Sequence, residues 1–204
     1  MYCKIHSLAL HGIEAVPVLA EVDVGNGLPG INLVGLLSPE VREARERVRV
    51  ALRNAGYPLP AKKVTVNLSP ADLRKEGSAL DLPLAIGLLV ATGEIDVPRL
   101  ERYVFVGELS LDGLLKPVRG VLSVAMSLVA DNRADSDHES ILVIPKANED
   151  EAALVEGVKY VCADSLKECV EYLMGETGVN VACGLKKIKR TFSPVDVPDF
   201  KNVV

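Results

Sequence analysis

Strict alternation of apolar and polar positions marks the start of the chain. Between Ala15 and Val24 every second residue is valine or alanine, which predicts a half-buried strand. The runs Tyr2–Leu10 and Gly30–Leu36 have the same β character. We expect the three to be successive strands of one sheet, joined between the second and third by a hairpin connection rich in glycine and asparagine.

That connection reads GNGLPG over residues 25–30 and matches the G-x-G-x-x-G pattern of dinucleotide-binding loops. Such a loop works only when its glycines open a helix whose first amides meet the pyrophosphate. Here Pro29 and an extended apolar run follow the glycines. The pattern therefore favours a turn between strands over a nucleotide site.

Helical periodicity begins after Ser38, the predicted N-cap, with Pro39 at the first helical position and Gly56 just past the end. An apolar face is formed by Val41, Ala44, Val48, Leu52 and Ala55. A second stripe beside it carries Arg42, Arg45, Arg49 and Arg53. This stripe is either a solvated face paired with nearby glutamates or a contact surface for phosphates or an acidic neighbour.

Downstream, strands and helices alternate. A strand is predicted at Lys62–Leu68, followed by a polar loop through Ser78 and an almost wholly apolar helix that Asp81 caps. An Asp112-Gly113 turn predicts a hairpin, helix Val121–Ala130 follows it, and residues 131–140 read as a surface loop. The fold class is α+β, a single domain at 1–175 with a mixed sheet packed by helices, and 176–204 read as a linker.

Composition narrows the function classes. The chain has 204 residues, 49% hydrophobic, and a net charge of -5, so a globally basic nucleic-acid binder is excluded while a local basic patch is not. The longest apolar run, Leu82–Thr92, is far shorter than the roughly 20 residues of a membrane span, and the N-terminus does not resemble a signal peptide. We expect a cytoplasmic protein without membrane contact.

Nucleotide and metal sites are not expected in this chain. No segment has the G-x-x-x-x-G-K-[S/T] pattern that cradles phosphates, so the chain should neither bind nor hydrolyse ATP. The four cysteines have no C-x-x-C spacing, and no run of residues suggests metal ligands. The predicted cofactor and metal content of these residues is therefore none.

Several segments together resemble the N-terminal domain of the bacterial YifB/ComM family of Mg-chelatase-like AAA+ ATPases. They are GLPG (27–30), VREARERV (41–48), VTVNLSPADLRKEGS (64–78), DLPLAIG (81–87) and GELSLDG (107–113). The resemblance implies a Lon-protease-like fold, related to the second domain of a small-subunit ribosomal protein. It also implies that this chain is an N-terminal fragment, and that a following AAA+ module binds ATP and Mg and assembles as a homo-hexamer.

Similarity to Lon proteases raises a Ser-Lys peptidase as an alternative. Aligning the loops puts Ala79 at the nucleophilic serine, Asp81 near the second glycine of the motif, and Leu122 at the catalytic lysine. Both catalytic groups are thus missing from their positions. Ser78, one residue away, and Lys75 or Lys116 leave a displaced dyad conceivable.

The predicted function is that of a non-catalytic accessory domain in a parent ATPase that the resemblance links to DNA branch migration in natural transformation. The domain would pack against its own ATPase module and neighbouring subunits, or guide DNA. The candidate contact residues are Arg42, Arg45, Arg49, Arg53, Arg74 and Lys75. The alternatives are the rearranged peptidase and a subunit of a Mg-chelatase-type complex.

Overall fold

The computed structural model describes residues 1–134, 139–176 and 181–184, with the side chains of residues 133 and 134 left aside. The ten strands of this part are β1 (Tyr2–His11), β2 (Glu14–Gly25), β3 (Gly30–Val34), β4 (Lys63–Ser69), β5 (Tyr103–Phe105), β6 (Glu108–Leu109), β7 (Leu115–Lys116), β8 (Ile141–Pro145), β9 (Lys159–Ala163) and β10 (Ala182–Cys183). The α-helices are α1 (Pro39–Asn54), α2 (Asp81–Thr92), α3 (Val121–Ala134), α4 (Glu149–Ala153) and α5 (Leu166–Leu173). Short 3-10 turns occupy Leu100–Arg102 and Lys146–Asn148.

One mixed sheet of eight strands organises the fold, in the order β10-β9-β8-β5-β1-β2-β4-β3. Strands β1, β2 and β4 pair antiparallel, whereas β3 with β4, β1 with β5, β5 with β8 and β8 with β9 pair parallel. The predicted α+β class with a mixed sheet packed by helices is confirmed. The hairpin expected between β2 and β3 is wrong, because β4 inserts between them and leaves β3 at the edge of the sheet.

Helices cover the sheet on two faces and form two apolar clusters. The larger cluster joins α1, α2 and α5 to strands β1, β2 and β4, including Val48, Ile86 and Val22. The smaller joins α3 and α4 to β5, β8 and β9, including Val124 and Leu142. Because α2 lies at the centre of the larger cluster, its almost uniformly apolar sequence is explained by burial of ten of its twelve residues.

The ends of the helices follow the sequence signals in part. Helix α1 begins at Pro39, and Gly56 adopts φ 95° just beyond its end, as the pattern predicts. Ser38 occupies the N-cap position but makes no side-chain capping bond. The cap predicted at Asp81 is wrong, because Leu80 is the N-cap and Asp81 is the first helical residue.

In the second half of the chain the predicted hairpin is confirmed, and helix α3 is longer than predicted. The Asp112-Gly113 hairpin forms between β6 and β7, and Ser165 caps α5 by accepting a hydrogen bond from the Glu168 amide at 3.1 Å. Helix α3 continues to Ala134, past the predicted start of the loop. No helix in the described ranges is both long and apolar enough to cross a membrane.

The segment expected to be a linker is described only in part. Glu176 and residues 181–184 are described, and within them Ala182–Cys183 pairs antiparallel with β9 at one edge of the sheet. Residues 177–180 and 185–204 lie outside the described residues.

Candidate functional site

The four arginines of the predicted stripe, Arg42, Arg45, Arg49 and Arg53, are all exposed along α1, and we refer to them as the arginine surface. Glu46 forms ion pairs with Arg45 at 3.3 Å and with Arg49 at 2.9 Å. Exposed pairs of this kind contribute about 0–1 kcal/mol, so they leave both guanidinium groups available for a partner. Arg42 and Arg53 make no ion pair within the described chain.

Two open grooves run beside the arginine surface. Arg45, Arg49 and Arg53 line the first, of about 550 Å³, together with the start of β3 and the Pro58–Lys62 segment. Arg42 and Arg45 line the second, of about 490 Å³, against residues of β3 and of the turn that follows it. The helix thus presents its cations to solvent-filled space at the edge of the sheet.

Arg74 and Lys75 are neighbours in sequence but have different environments. The Arg74 side chain is 60% exposed and pairs with Glu76 at 3.1 Å. Lys75 is fully buried, and its ammonium donates a hydrogen bond to the carbonyl of Pro70. Burial lowers the pKa of Lys75.

The Lys75 backbone explains this inward orientation. Its N–H donates to the Leu36 carbonyl and its carbonyl accepts from the Ser38 N–H, both at 3.0 Å, which ties the loop to the start of α1. The charged residues Arg74–Glu76 predict a solvated loop in which Lys75 is accessible. That prediction is wrong for Lys75, because its backbone bonds to Leu36 and Ser38 hold it inside the fold. Of the candidate contact residues, the four of the arginine surface and Arg74 therefore lie exposed at the surface.

Asp81 holds the helices together. Its carboxylate is fully buried and accepts two hydrogen bonds from the Arg47 guanidinium, each at 3.0 Å, and one from the Leu109 N–H at 3.2 Å. Burial raises the pKa of Asp81, although the Arg47 pair and the Leu109 amide act in the opposite direction. This ion pair joins α1, α2 and β6.

Arg47 was absent from the sequence-predicted set. It lies three residues after Ala44 and four before Ala51, both buried, and so borders the apolar face of α1 rather than the arginine stripe. That position is a sequence signal that Arg47 lies partly against the core, but only the fold shows that Asp81 is its partner.

Two of the remaining candidate residues, Ser78 and Ala79, line a cavity of about 620 Å³ together with Glu108. The Ser78 hydroxyl donates to the Glu108 carboxylate. Lys116 is exposed on β7, and Leu122 is 39% exposed on α3; neither lines the cavity. The Lys75 ammonium is bonded to the Pro70 carbonyl, Lys116 does not line the cavity, and Leu122 has no amine. None of these three residues therefore supplies an amine to Ser78.

This geometry predicts an unreactive serine. A carboxylate acceptor holds the Ser78 proton, whereas a Ser-Lys mechanism requires a neutral amine to remove it. After treatment with a fluorophosphonate, intact-mass measurement should detect no adduct on this chain, while a serine protease treated in parallel is labelled. An adduct that disappears in Ser78→Ala would contradict this interpretation.

Metal ligands do not converge in the described part of the chain, where no three His, Cys, Asp or Glu side chains form a group able to hold an ion. The arrangement therefore offers exposed guanidinium groups for binding, and a cavity without a Ser-Lys pair.

Comparison with known proteins identifies the family. The model of subunit ChlI of Mg-chelatase matches residues 20–148. The competence protein ComM of Haemophilus influenzae is 39% identical over 98% of this chain, which corresponds to 38% of that protein. The uncharacterized protein YifB of Escherichia coli is 42% identical over 84% of the chain and 33% of its own length.

The uncharacterized protein Rv2897c of Mycobacterium tuberculosis is 39% identical over 86% of the chain and 34% of its own length. The chain thus spans about a third of the length of these curated relatives. Since the family model covers more than half of the sequence, including α1, β4, α2 and the β6–β7 hairpin, the chain belongs to the Mg-chelatase ChlI family.

Proposed function

We propose that this chain is a non-catalytic accessory domain of a hexameric AAA+ ATPase, with a Lon-protease-like fold, and that it guides DNA. ATP and Mg would bind in the ATPase module, and this domain would lie between that module, neighbouring subunits and the nucleic acid. The similarity to a competence protein supports a DNA-related process, because that relative is named for competence. Branch migration of DNA in the cytoplasm is the process we propose.

The observation that carries the proposal is the arginine surface. Its four guanidinium groups follow one stripe of α1 and face open grooves, and two of them have no ion-pair partner in the described chain. Arginine recognises phosphate through parallel N–H donors, and such contacts are independent of base sequence. A ring that moves along DNA needs contacts of this kind, since they must be remade at every step.

Replacing all four arginines by glutamine tests the DNA role. We expect binding of a fluorescein-labelled duplex, measured by anisotropy, to weaken by about tenfold or more at low salt. The slope of log K against log[salt] should become shallower by about 0.9 for each phosphate that the variant no longer neutralises. The measurement is made on this chain.

The matched control removes four positive charges elsewhere. Lys4, Lys146, Lys159 and Lys167 lie away from the arginine surface, and their replacement by glutamine changes the net charge equally. Equal weakening in both variants would mean that net charge, not the arginine surface, governs binding. Unchanged affinity and slope in the arginine variant would remove the DNA role and leave subunit packing.

A subunit role in a Mg-chelatase-type complex is the second candidate, because the matching family model carries that description. Since the described residues offer no group of metal ligands, this role would consist of assembly rather than metal insertion. An absorbance titration with protoporphyrin and Mg²⁺ distinguishes the two, and we expect no spectral change with this chain alone.

A further inference from the structure

The larger groove beside α1 contains a cation that does not belong to the arginine surface. Lys62 lines this groove of about 550 Å³ together with Arg45, Arg49 and Arg53. Its side chain is exposed and makes no ion pair with any described residue. The groove therefore receives positive charge from a second segment of the chain as well as from the helix.

Backbone hydrogen bonds fix the position of Lys62 in the short segment that connects α1 to β4. The Lys62 N–H donates to the Pro60 carbonyl at 2.8 Å, and the Lys62 carbonyl accepts from the Gly30 N–H at 3.2 Å. Pro58 and Pro60 restrict the segment further, because the proline ring fixes φ. The backbone of Lys62 is thus held beside the start of β3, and its ammonium remains available to a ligand in the groove.

One carboxylate, that of Glu46, lines the groove against four cations. Glu46 lies four residues after Arg42 and three before Arg49, so helical spacing places it in line with the arginine surface. It pairs with Arg45 and Arg49, as described above. The other lining residues are uncharged, which gives the lining a formal net charge of +3. An anion is therefore the occupant that these charges favour.

We propose that this groove seats a phosphate of the DNA backbone, that Lys62 is a further DNA-binding residue, and that the phosphate displaces Glu46 from Arg49. The inference rests on the proposed DNA role and names the place of contact. Arg49 donates from Nε at 3.1 Å and from Nη2 at 2.9 Å to one oxygen of Glu46, the parallel arrangement with which arginine binds phosphate. Because exposed ion pairs contribute little to stability, a phosphate oxygen can take the place of the carboxylate.

Lys62→Gln and Lys63→Gln form a matched pair of variants. Lys63 is the next residue and is also exposed, but it lies in β4 opposite Gly25 and Gly30 and does not line the groove. In the anisotropy titration of the fluorescein-labelled duplex, Lys62→Gln should weaken binding by about threefold or more at low salt. It should also make the slope of log K against log[salt] shallower by about 0.9, whereas Lys63→Gln should leave the slope unchanged because no phosphate contact is lost.

Glu46→Gln should change the affinity in the opposite direction. The duplex should bind about threefold more tightly at low salt, because the phosphate no longer competes with a carboxylate for Arg45 and Arg49. Glu43→Gln is the matched control, since Glu43 is exposed on the same helix and lines neither groove. It changes the net charge equally and should strengthen binding by less than about twofold. Circular dichroism verifies that all four variants retain the fold.

The phosphate seat and the DNA role fail in distinguishable ways. Equal binding of the duplex by Lys62→Gln and Lys63→Gln would overturn the seat, and so would binding by Glu46→Gln that is no tighter than binding by Glu43→Gln. If the variant with four glutamines in place of the arginines is weakened in the same series, the DNA role stands and only the seat in this groove is lost. If that variant also binds like the unmodified chain, the proposed DNA role fails as well.

Discussion

Replacing Arg47 by methionine should lower the free energy of unfolding at pH 7 by about 3 kcal/mol, because it leaves a buried carboxylate without its cation. Asp81 is fully buried, and Arg47 supplies two of the three hydrogen bonds that it accepts. Methionine retains much of the length of the side chain, so the loss reports the charge and its hydrogen bonds rather than a cavity. Urea denaturation followed by circular dichroism measures the change.

The cost should depend on pH. Burial already raises the pKa of Asp81 above its usual value, and loss of Arg47 removes the largest opposing influence, so the pKa rises further in the variant. A carboxyl group with a raised pKa in the folded state favours folding below the unfolded pKa of about 3.9 and loses this contribution as the pH rises. The stability gap between the variant and the unmodified chain should therefore widen between about pH 4 and pH 7.

Two further variants check the cause. Arg49→Met alters an exposed arginine of the same helix, paired with Glu46, and should change stability by about 0.5 kcal/mol or less. Adding Asp81→Asn to Arg47→Met removes the unpaired charge and should recover part of the loss at pH 7. If the double variant is no more stable than Arg47→Met, the buried charge is not the source of the cost.

Replacing Gly87 by valine should destabilise the fold by about 2–3 kcal/mol through overpacking. This glycine lies in α2, where the helix crosses the sheet, and an added Cβ would come within 2.8 Å of Cγ2 of Val22 and 3.1 Å of Cγ1 of Ile5. Both neighbours are fully buried, so neither can turn into solvent. Chemical denaturation measures the loss.

A double-mutant cycle tests this explanation. Val22→Ala removes the methyl groups nearest to Gly87 and by itself should cost about 2 kcal/mol by leaving space in the core. Combined with Gly87→Val, it should cost about 1 kcal/mol less than the sum of the two single changes, because the new side chain occupies that space. Simple additivity would contradict a direct contact between the helix and β2 at this point.

The sequence predicts most elements because each has a local signal. Helix α1 follows from its apolar period and its bounding Pro39 and Gly56, and the β6–β7 hairpin follows from Asp112-Gly113. The error between β2 and β3 has a non-local cause. Strand β4 follows β3 in the chain only after the whole of α1, and no short-range pattern indicates that it inserts between its predecessors.

The residues of the candidate site also fall into those that a local pattern predicts and those that depend on distant segments of the chain. The arginine surface could be predicted, since helical spacing alone assigns four arginines to one stripe, and all four are exposed. Lys75 could not, because its burial depends on backbone bonds to Leu36 and Ser38 from a different part of the chain. Glu108 could not either, since its contact with Ser78 spans thirty residues.

By itself, then, the sequence determined the α+β class, the period and bounds of α1, and the family, all of which depend on residues close together in the chain or on motifs compared one by one. The tertiary structure alone decided which strands are neighbours, that Arg47 rather than an arginine of the stripe pairs with Asp81, and that Ser78 meets a carboxylate instead of an amine. The physical reason is that burial and pairing of charged groups depend on segments that only folding brings together, and local patterning carries no information about them.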